Sequence, residues 1–326
     1  MKTQLTDSTL GGWKEFEFVV VRDADDHCVT ICDMETLDPI GAHTSASIVV
    51  APAQTLNDQE HQTLRDLSIA AVRRLGVIGA CSVHYAINPR SREHRVIEVN
   101  AGLSRSSALA SKATGCPLAC IAANLALGYC VPELLDTVNR TTSDFFEPAT
   151  DCIVCKIPRD SQTLERVDST VGTEMKSAEE VMAIGPTFAE ALQKATRMLG
   201  VGAEGPADSP MVFDDLERAI ATPSQYRIFA VAQGFAAGMS LERVAELTAI
   251  DPFFLGEVER IVLIGMVLGL FAGSPLHAPE MLTAIDEANR AGFSDRAIAH
   301  RLELSEQDVR DRRVHALVPV LSQSTI

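Results

Sequence analysis

The residues of this sequence best suited to bind a metal ion lie in a segment, 82–100, whose pattern predicts two strands joined by a turn. If the turn is centred near Ser91, His84 faces Glu98 across the hairpin, and Asn100 lies two residues further along the same face. Divalent cations that bridge nucleotide phosphates favour a few such side chains on rigid strands. The pattern therefore predicts a metal site of His84, Glu98 and Asn100. A solvated strand face is the alternative interpretation.

A second candidate for chemistry is His43, which lies in a loop of small residues before an apolar strand at 48–51. A histidine in such a loop can donate a hydrogen bond to a phosphate or to a carboxylate intermediate. The same composition also suits an ordinary surface loop, and on the residue types alone that is the simpler interpretation. His43 therefore needs support from elsewhere in the sequence.

Two hairpins must position these side chains, and the first of them precedes both candidates. Phe16 and Phe18 alternate with Glu15 and Glu17, which predicts a strand, and the polar residues 23–27 predict a turn into a second strand. Because side chains alternate between the two faces of a strand, the two glutamates share one face.

A helix with clear start and stop signals follows the first hairpin. Asn57 is a suitable N-cap, Glu60 three residues later completes a capping box, and Gly76 ends the helix. Two further helices are predicted at 107–114 and 117–127. These helices are expected to cover the sheet.

The chain is long enough for two domains, and its clearest composition break is a stretch rich in glycine and proline at 200–210. We therefore expect a first domain of residues 1–202, a linker at 203–215 and a helical domain at 216–326. Pro223 is expected to open a helix of this last domain, because proline is favoured in the first turn.

The charge balance excludes some classes of partner. Lys and Arg number 28 against 44 Asp and Glu, for a net charge of -16, which disfavours nucleic acid and anionic membrane surfaces. The longest apolar run, 261–273, is shorter than the roughly 20 residues of a membrane helix. The start of the sequence has no export signal, and the eight cysteines are interpreted as free thiols in a reducing compartment. A cytoplasmic location is expected.

Two segments near the end of the sequence have patterns typical of interaction surfaces. Residues 294–313 have the spacing of a helix-turn-helix, but five acidic residues balance five arginines there, so a structural helical pair is favoured over DNA binding. The run 261–271 is apolar all round, whereas a helix in a small bundle ordinarily buries one stripe. We expect this run to bind a second copy or a related protein, unless neighbouring helices cover it.

Several longer runs of the sequence resemble one family, the large synthetase subunit of carbamoyl phosphate synthase. The resemblance extends from about Gly11 to the C-terminus and weakens after Gly202, and the Ser104–Gly115 run is its most specific part. The runs that carry it are Gly12–Glu17, Val20–Asp23, Val50–Leu56, Ser104–Gly115, Met175–Ser177 and Glu180–Gly185.

The resemblance implies a fold and an activity. The fold is α+β: the C-terminal lobe of an ATP-grasp unit, an antiparallel sheet with flanking helices, followed by an all-α oligomerisation domain. In this family ATP phosphorylates bicarbonate, ammonia from a glutaminase subunit attacks the carboxyphosphate, and the resulting carbamate is phosphorylated. The implied cofactors are ATP and Mg²⁺ or Mn²⁺. The implied partners are a glutaminase subunit, a full-length synthase or further copies of the chain, and the pathways are pyrimidine or arginine biosynthesis.

The resemblance also assigns roles to individual residues. It places His43 and Arg105 among the catalytic residues, and the metal ligands it implies fall on the hairpin candidates His84, Glu98 and Asn100. The residues that it places at the nucleotide are Glu15, Gly41, Ala42, His43 and Glu98.

Departures from the family pattern suggest an alternative. His84 stands where the family has glutamine, which favours manganese over magnesium, and Gly102 stands where the family has an arginine. The first ATP-grasp lobe and the second synthetase half have no counterpart in this sequence. The missing lobe is either supplied by another polypeptide or lost. The isolated chain is expected to bind ATP poorly and to show no bicarbonate-dependent hydrolysis. The alternative function is a non-catalytic relic or a regulatory, oligomerising protein.

Overall fold

The structure, a computed structural model, describes residues 10–41, 47–134, 147–148, 150–159, 179–274 and 278–315. The chain divides into two compact units. The first comprises residues 1–186 and 223–225, and the second comprises residues 187–222 and 226–326.

The first unit is built on a seven-stranded sheet in which every neighbouring pair is antiparallel. The strand order is β5-β4-β1-β2-β3-β6-β7. The strands are β1 Lys14–Arg22, β2 Cys28–Thr36, β3 Val49–Ala51, β4 Gly79–Ile87, β5 His94–Ala101, β6 Ile153–Arg159 and β7 Glu179–Gly185.

Helices cover both faces of this sheet, so β1 is buried along nearly its whole length. Apolar side chains of β1 and β4, among them Phe16 and Phe18, form one core cluster with Leu64 of the first helix. Side chains that point to the opposite face of the sheet, among them Val19, form a second cluster with Leu109 of the second helix. The helices of this unit are α1 Asp58–Leu75, α2 Ser106–Thr114 and α3 Leu118–Ala126. The α+β class, with an antiparallel sheet and flanking helices, is confirmed.

The capping signals of α1 are confirmed in detail. The Asn57 side chain accepts a hydrogen bond from the backbone N–H of Glu60, the Glu60 side chain accepts one from the backbone N–H of Asn57, and Gly76 adopts a left-handed conformation at the end. Both predicted hairpins are present as β1–β2 and β4–β5. The turn of the first is held by Asp23, whose carboxylate accepts hydrogen bonds from the backbone N–H groups of Asp25 and His27.

The regular secondary structure described in the second unit is helical. The helices are α4 Phe188–Met198, α5 Leu216–Ala221, α6 Arg227–Ala236, α7 Leu241–Thr248, α8 Pro252–Leu270, α9 Pro279–Arg290, α10 Asp295–Leu302 and α11 Glu306–His315. Helix α6 begins at Arg227, four residues after the predicted start at Pro223. The buried Arg227 guanidinium donates to the carbonyl groups of Ile220 and Thr248, which fixes the turn before the helix.

The division between the units comes earlier than the composition break suggests. Helix α4 precedes residue 202 but belongs to the second unit. Part of the segment 203–215, expected to be a linker, packs within that unit, because the Arg301 guanidinium donates to the Ala207 carbonyl and to the Asp208 carboxylate. Glycine and proline here shape a packed turn, which local composition does not distinguish from a linker.

Three further features of the structure concern the cysteines, the last two helices and the length of the helices. The eight cysteines are free thiols. The segment with helix-turn-helix spacing forms the helical pair α10 and α11, in which the buried Asp295 pairs with Arg310 and Arg313. Within the described residues no helix combines the length and the apolar character that crossing a bilayer requires.

Replacing Gly292 with alanine is expected to lower the free energy of unfolding by about 2 kcal/mol or more. Gly292 has φ +90°, where a side chain costs roughly 1–2 kcal/mol, and its added Cβ would lie 2.6 Å from the Cα of Glu190. Chemical denaturation measures the loss. Gly238→Ala is the matched control, since φ is +88° there and nothing lies within 4 Å. Equal losses in the two variants would contradict the close approach to Glu190.

Candidate functional site

A row of ionisable side chains crosses one face of the sheet near one end of β1. Glu17 of β1 lies opposite His84 of β4, and His84 lies opposite Glu98 of β5. Glu15 precedes Glu17 by two residues and therefore shares its face. The predicted pairing of His84 with Glu98 is confirmed, and the registers of β1 and β4 add the two glutamates of the first hairpin to the same cluster.

His84 is held between the two glutamates of β1. Its Nδ1 lies 3.3 Å from Glu15 Oε1, and its Nε2 lies 3.6 Å from Glu17 Oε1 and 3.4 Å from Ser82 Oγ. The side chain is 18% exposed. Both ring nitrogens therefore face oxygen acceptors, as a protonated imidazole requires.

The surroundings of His84 favour its charged form. Burial alone would lower the pKa of His84, but the hydrogen bond to Glu15 and the charges of Glu17, Glu15 and Glu98 outweigh it and raise the pKa to about 9. His84 is consequently an imidazolium at neutral pH. It supplies one positive charge to a face that otherwise carries three carboxylates.

Helix α2 brings a hydroxyl group to the same cluster. Ser106, in its first turn, donates to Glu17 Oε1 at 2.5 Å. Glu15 Oε1 contacts His84, whereas Oε2 is buried and has no hydrogen-bond partner among the described residues. A buried carboxylate oxygen without a donor is costly. This atom is therefore suited to receive a hydroxyl, an amino group or a cation from a ligand.

The three metal candidates are only partly assembled. Asn100 lies opposite Ser82. It is two residues further along β5 than Glu98 and therefore on the same face, as expected. Glu98 is exposed and Asn100 is half-buried. Among the described residues no group of three or more His, Cys, Asp and Glu side chains has the arrangement of a metal site. The oxygen donors of Glu98 and Asn100 fit a hard divalent cation, whereas the His84 nitrogens are occupied by carboxylates.

A second group of charges includes Arg105, which precedes α2. Its guanidinium lies 4.0 Å from Glu180 of β7, and the same carboxylate lies 3.3 Å from the Lys156 ammonium of β6. Lys156 and Glu180 were not singled out by the sequence reasoning. The signal for Lys156 was available, because it is a lone lysine within an apolar strand run and is buried in the structure.

Two predicted nucleotide contacts, Ala42 and His43, lie outside the described residues, and no geometry supports or opposes them. Gly41 lies within the described residues and adopts φ +99°. A Cβ added there would lie 3.8 Å from the Cα of Gly11, which is an ordinary van der Waals contact. Gly102, which replaces the family's arginine, has φ +107° and open space around it. The structure therefore brings together Glu15, His84 and Glu98 with Asn100 close by, and places Arg105 in a separate ionic group.

Comparisons with known proteins give the context of this site. Residues 1–134 match the family described as carbamoyl-phosphate synthase L chain, ATP binding domain. Residues 180–317 match the family described as carbamoyl-phosphate synthetase large chain, oligomerisation domain. The two matches together cover most of the chain.

Curated relatives share this similarity over nearly the whole chain. The mitochondrial arginine-specific large chain of carbamoyl phosphate synthase from Schizosaccharomyces pombe is 47% identical over 314 residues, 95% of this chain and 26% of that protein. Multifunctional protein pyr-3 of Neurospora crassa is 44% identical over 322 residues, 98% of this chain and 17% of that protein. A solved biotin carboxylase complex from Campylobacter jejuni aligns with TM-score 0.45 and 11% identity over 68% of this chain and 50% of that chain.

This chain spans about a quarter or less of the length of the two curated relatives. The match to the ATP-binding domain lies within the first unit, and the match to the oligomerisation domain begins in β7 and extends over most of the helical unit, in the order in which the sequence resemblance placed them. The chain belongs to the carbamoyl-phosphate synthase large-chain family.

Proposed function

We propose that the chain serves as the later lobe of an ATP-grasp unit that phosphorylates bicarbonate, within a larger assembly that joins the product to ammonia. The observation that carries this proposal is Glu15. Its Oε2 is buried without a donor on the face where the resemblance implies the nucleotide. A hydroxyl or amino group of a bound nucleotide would supply the missing hydrogen bond.

The remaining nucleotide contacts are proposed from the family match. They are Gly41, Ala42 and His43, with Glu98 at the phosphates. Since phosphoryl transfer is catalysed mainly by positioning and by positive charge near the phosphates, Arg105 and His43 are the proposed catalytic groups. Arg105 is directed by its contact with Glu180, 4.0 Å away. Lys156 shares that carboxylate and adds a second positive charge beside it.

We propose that Glu98 and Asn100 hold Mg²⁺ or Mn²⁺, which when bound would neutralise charge on the phosphates. His84 completes this set only after its ring leaves Glu15 or Glu17, because both nitrogens are engaged. Use of the imidazole nitrogen would favour Mn²⁺. With the ring in its observed place, His84 holds Glu15 and Glu17 in position instead.

The partners proposed for the assembly are a glutaminase subunit and a full-length synthase. The two curated relatives are about four to six times as long as this chain. The arginine-specific relative is 47% identical to this chain and the pyr-3 relative is 44% identical. Arginine and pyrimidine biosynthesis therefore both remain proposals for the pathway. A cytoplasmic location stays a prediction, because one relative is named as mitochondrial.

Adding the first ATP-grasp lobe of a relative is expected to create bicarbonate-dependent ATP hydrolysis that this chain alone does not show. The lobe is prepared as a separate polypeptide, the corresponding first lobe of the Schizosaccharomyces pombe relative. Glu15→Gln should reduce nucleotide affinity by about tenfold, since loss of one charged hydrogen-bond acceptor costs roughly 1.5 kcal/mol. Calorimetric titration with ATP and a phosphate-release assay with and without bicarbonate provide the two measurements.

The matched control for this experiment is Glu93→Gln, which changes an exposed glutamate of the β4–β5 turn that pairs with Arg95. It should leave nucleotide affinity unchanged. If the reconstituted lobes bind ATP no better than the single chain, and Glu15→Gln behaves like Glu93→Gln, the chain is the non-catalytic relic of the alternative function.

A further inference from the structure

Strand β6 carries a lysine into the interior of the first unit. Lys156 follows Val154 by two residues and therefore lies on the same face of the sheet, where Val154 belongs to an apolar core cluster. The Lys156 side chain is 8% exposed. A lysine this buried ordinarily has its charge paired and its donors bonded, because an unpaired ammonium in the interior is costly. Its partners therefore show whether its role is only structural.

The hydrogen bonds of Lys156 are incomplete. An ammonium group has three donors, and Lys156 Nζ has one acceptor among the described residues, Glu180 Oε1 at 3.3 Å. That distance is longer than the roughly 2.7–2.9 Å of a well-formed hydrogen bond between charged groups. Two donors of this buried ammonium therefore have no acceptor in the described part of the protein. They are suited to bind the oxygen atoms of a ligand.

A second cation shares the same carboxylate oxygen. The Arg105 guanidinium lies 4.0 Å from Glu180 Oε1, which is too long for a hydrogen bond. Glu180 therefore lies between two cations and forms a short bond with neither. One carboxylate against two cations leaves one positive charge in excess. Because the Arg105 side chain is 39% exposed, a small ligand can reach this group from solvent.

The donors of this group match a small oxyanion. A guanidinium offers paired N–H groups to the oxygens of a carboxylate or phosphate, and an ammonium adds a compact positive charge. The Lys156 and Arg105 nitrogens can be no further apart than their two distances to Glu180 Oε1 combined, about 7 Å. One small oxyanion spans that separation with hydrogen bonds of ordinary length.

We propose that Lys156 and Arg105 bind a small oxyanion between them, and that Glu180 is their counter-charge when the site is empty. An entering anion competes with the Glu180 carboxylate, so this residue limits the affinity of the site. The proposal goes beyond the nucleotide contacts proposed above and stands without them. Strands β2 and β3 lie between β1 and β6, so the group is separate from the cluster of Glu15 and His84.

Calorimetric titration of the full chain with sodium phosphate, and separately with sodium bicarbonate, tests the proposal without nucleotide or metal ions. Sodium chloride keeps the ionic strength constant. We expect at least one of the two oxyanions to bind at a single site. Arg105→Gln should weaken that binding about tenfold, because a charge-assisted hydrogen bond is lost. Binding of phosphate alone would identify a tetrahedral oxyanion as the ligand, and binding of bicarbonate alone a planar one.

The matched control for Arg105→Gln is Arg243→Gln in the second unit. The Arg243 side chain is 46% exposed and also lies beside a glutamate, with Glu217 Oε1 at 3.1 Å. This variant loses one positive charge from the same protein at a comparable position. It should bind the oxyanion like the unaltered chain, because its arginine is not accompanied by a buried ammonium.

Glu180→Gln separates a ligand site from a structural ion pair. The amide oxygen still accepts a hydrogen bond from Lys156, and removal of the competing charge should strengthen oxyanion binding at least about threefold. An ion pair that only supports the fold gives no such gain. Binding of neither oxyanion, equal affinities of Arg105→Gln and Arg243→Gln, or weaker binding by a folded Glu180→Gln would each overturn the proposal. If circular dichroism shows that Glu180→Gln is unfolded, Arg105→Gln decides the result.

Discussion

Replacing Lys14 with methionine is expected to lower the free energy of unfolding by about 3 kcal/mol, because removal of one partner from a buried ion pair leaves the other charge uncompensated. Lys14 Nζ lies 3.3 Å from Glu35 Oε1, and the two side chains are 9% and 0% exposed. Burial raises the pKa of Glu35, and the Lys14 charge opposes that rise. Without Lys14, the protein must bury a lone carboxylate or protonate it. Urea denaturation at pH 7 measures the loss.

The Glu35 carboxylate explains why the loss should be large. It also accepts hydrogen bonds from the backbone N–H groups of Gln54 and Thr55 and from the Thr55 hydroxyl, so it organises the chain after β3. These bonds keep it in place after Lys14 is removed, and it cannot move to water.

A second substitution provides the control. Glu35→Gln in the Lys14→Met background removes the lone charge, while the amide oxygen still accepts the backbone N–H groups and the amide nitrogen donates to the Thr55 hydroxyl. The double variant should therefore be more stable than Lys14→Met. If both lose the same free energy, Lys14 stabilises the protein by packing its methylene groups and the charge pairing contributes little.

Raising the pH from 6 to 9 is expected to cost the protein about 3 kcal/mol of stability through His84. Its pKa is about 9 in the folded protein against an ordinary value of 6.5. The folded state therefore holds the proton more tightly. The stabilisation is complete below the unfolded pKa and is lost as pH rises through the folded one, at about 1.4 kcal/mol per unit.

Denaturation of the unaltered chain and of His84→Gln at several pH values between 6 and 9 measures this contribution. The variant has an uncharged amide beside Glu15 and Glu17 and should be less stable at pH 6, with a shallower pH dependence. The difference between the two proteins should shrink toward pH 9. Parallel curves would show that His84 does not carry the proton between the glutamates. Burial also raises the pKa values of the Cys28 and Cys81 thiols, which makes stability depend on pH near pH 9. Both proteins contain these thiols, so the difference in stability between them removes that contribution.

Local signals in the sequence were sufficient for much of the first unit. The alternation around Phe16 and Phe18, the turn at 23–27 and the capping box of α1 each depend on neighbours a few residues apart, and all are present in the structure. The turn near Ser91 also fixed the register that places His84 opposite Glu98. The start of α6 and the division between the units were placed less well, because tertiary contacts of Arg227 and Arg301 override the local preference of proline and glycine.

By itself, the sequence determined the family, the two hairpins, the shared face of Glu15 and Glu17 and the pairing of His84 with Glu98, because strand alternation and turn length are local properties. Only the tertiary structure decided what those residues do to one another. Strand β1 pairs with β4, which brings His84 next to Glu15, a residue 69 positions away in the sequence. His84, a predicted metal ligand, is therefore an imidazolium between two carboxylates. Long-range packing likewise decided which half of the apolar run in α8 is buried and which stripe is exposed. Sequence periodicity could not make that choice, because the run is apolar on every side.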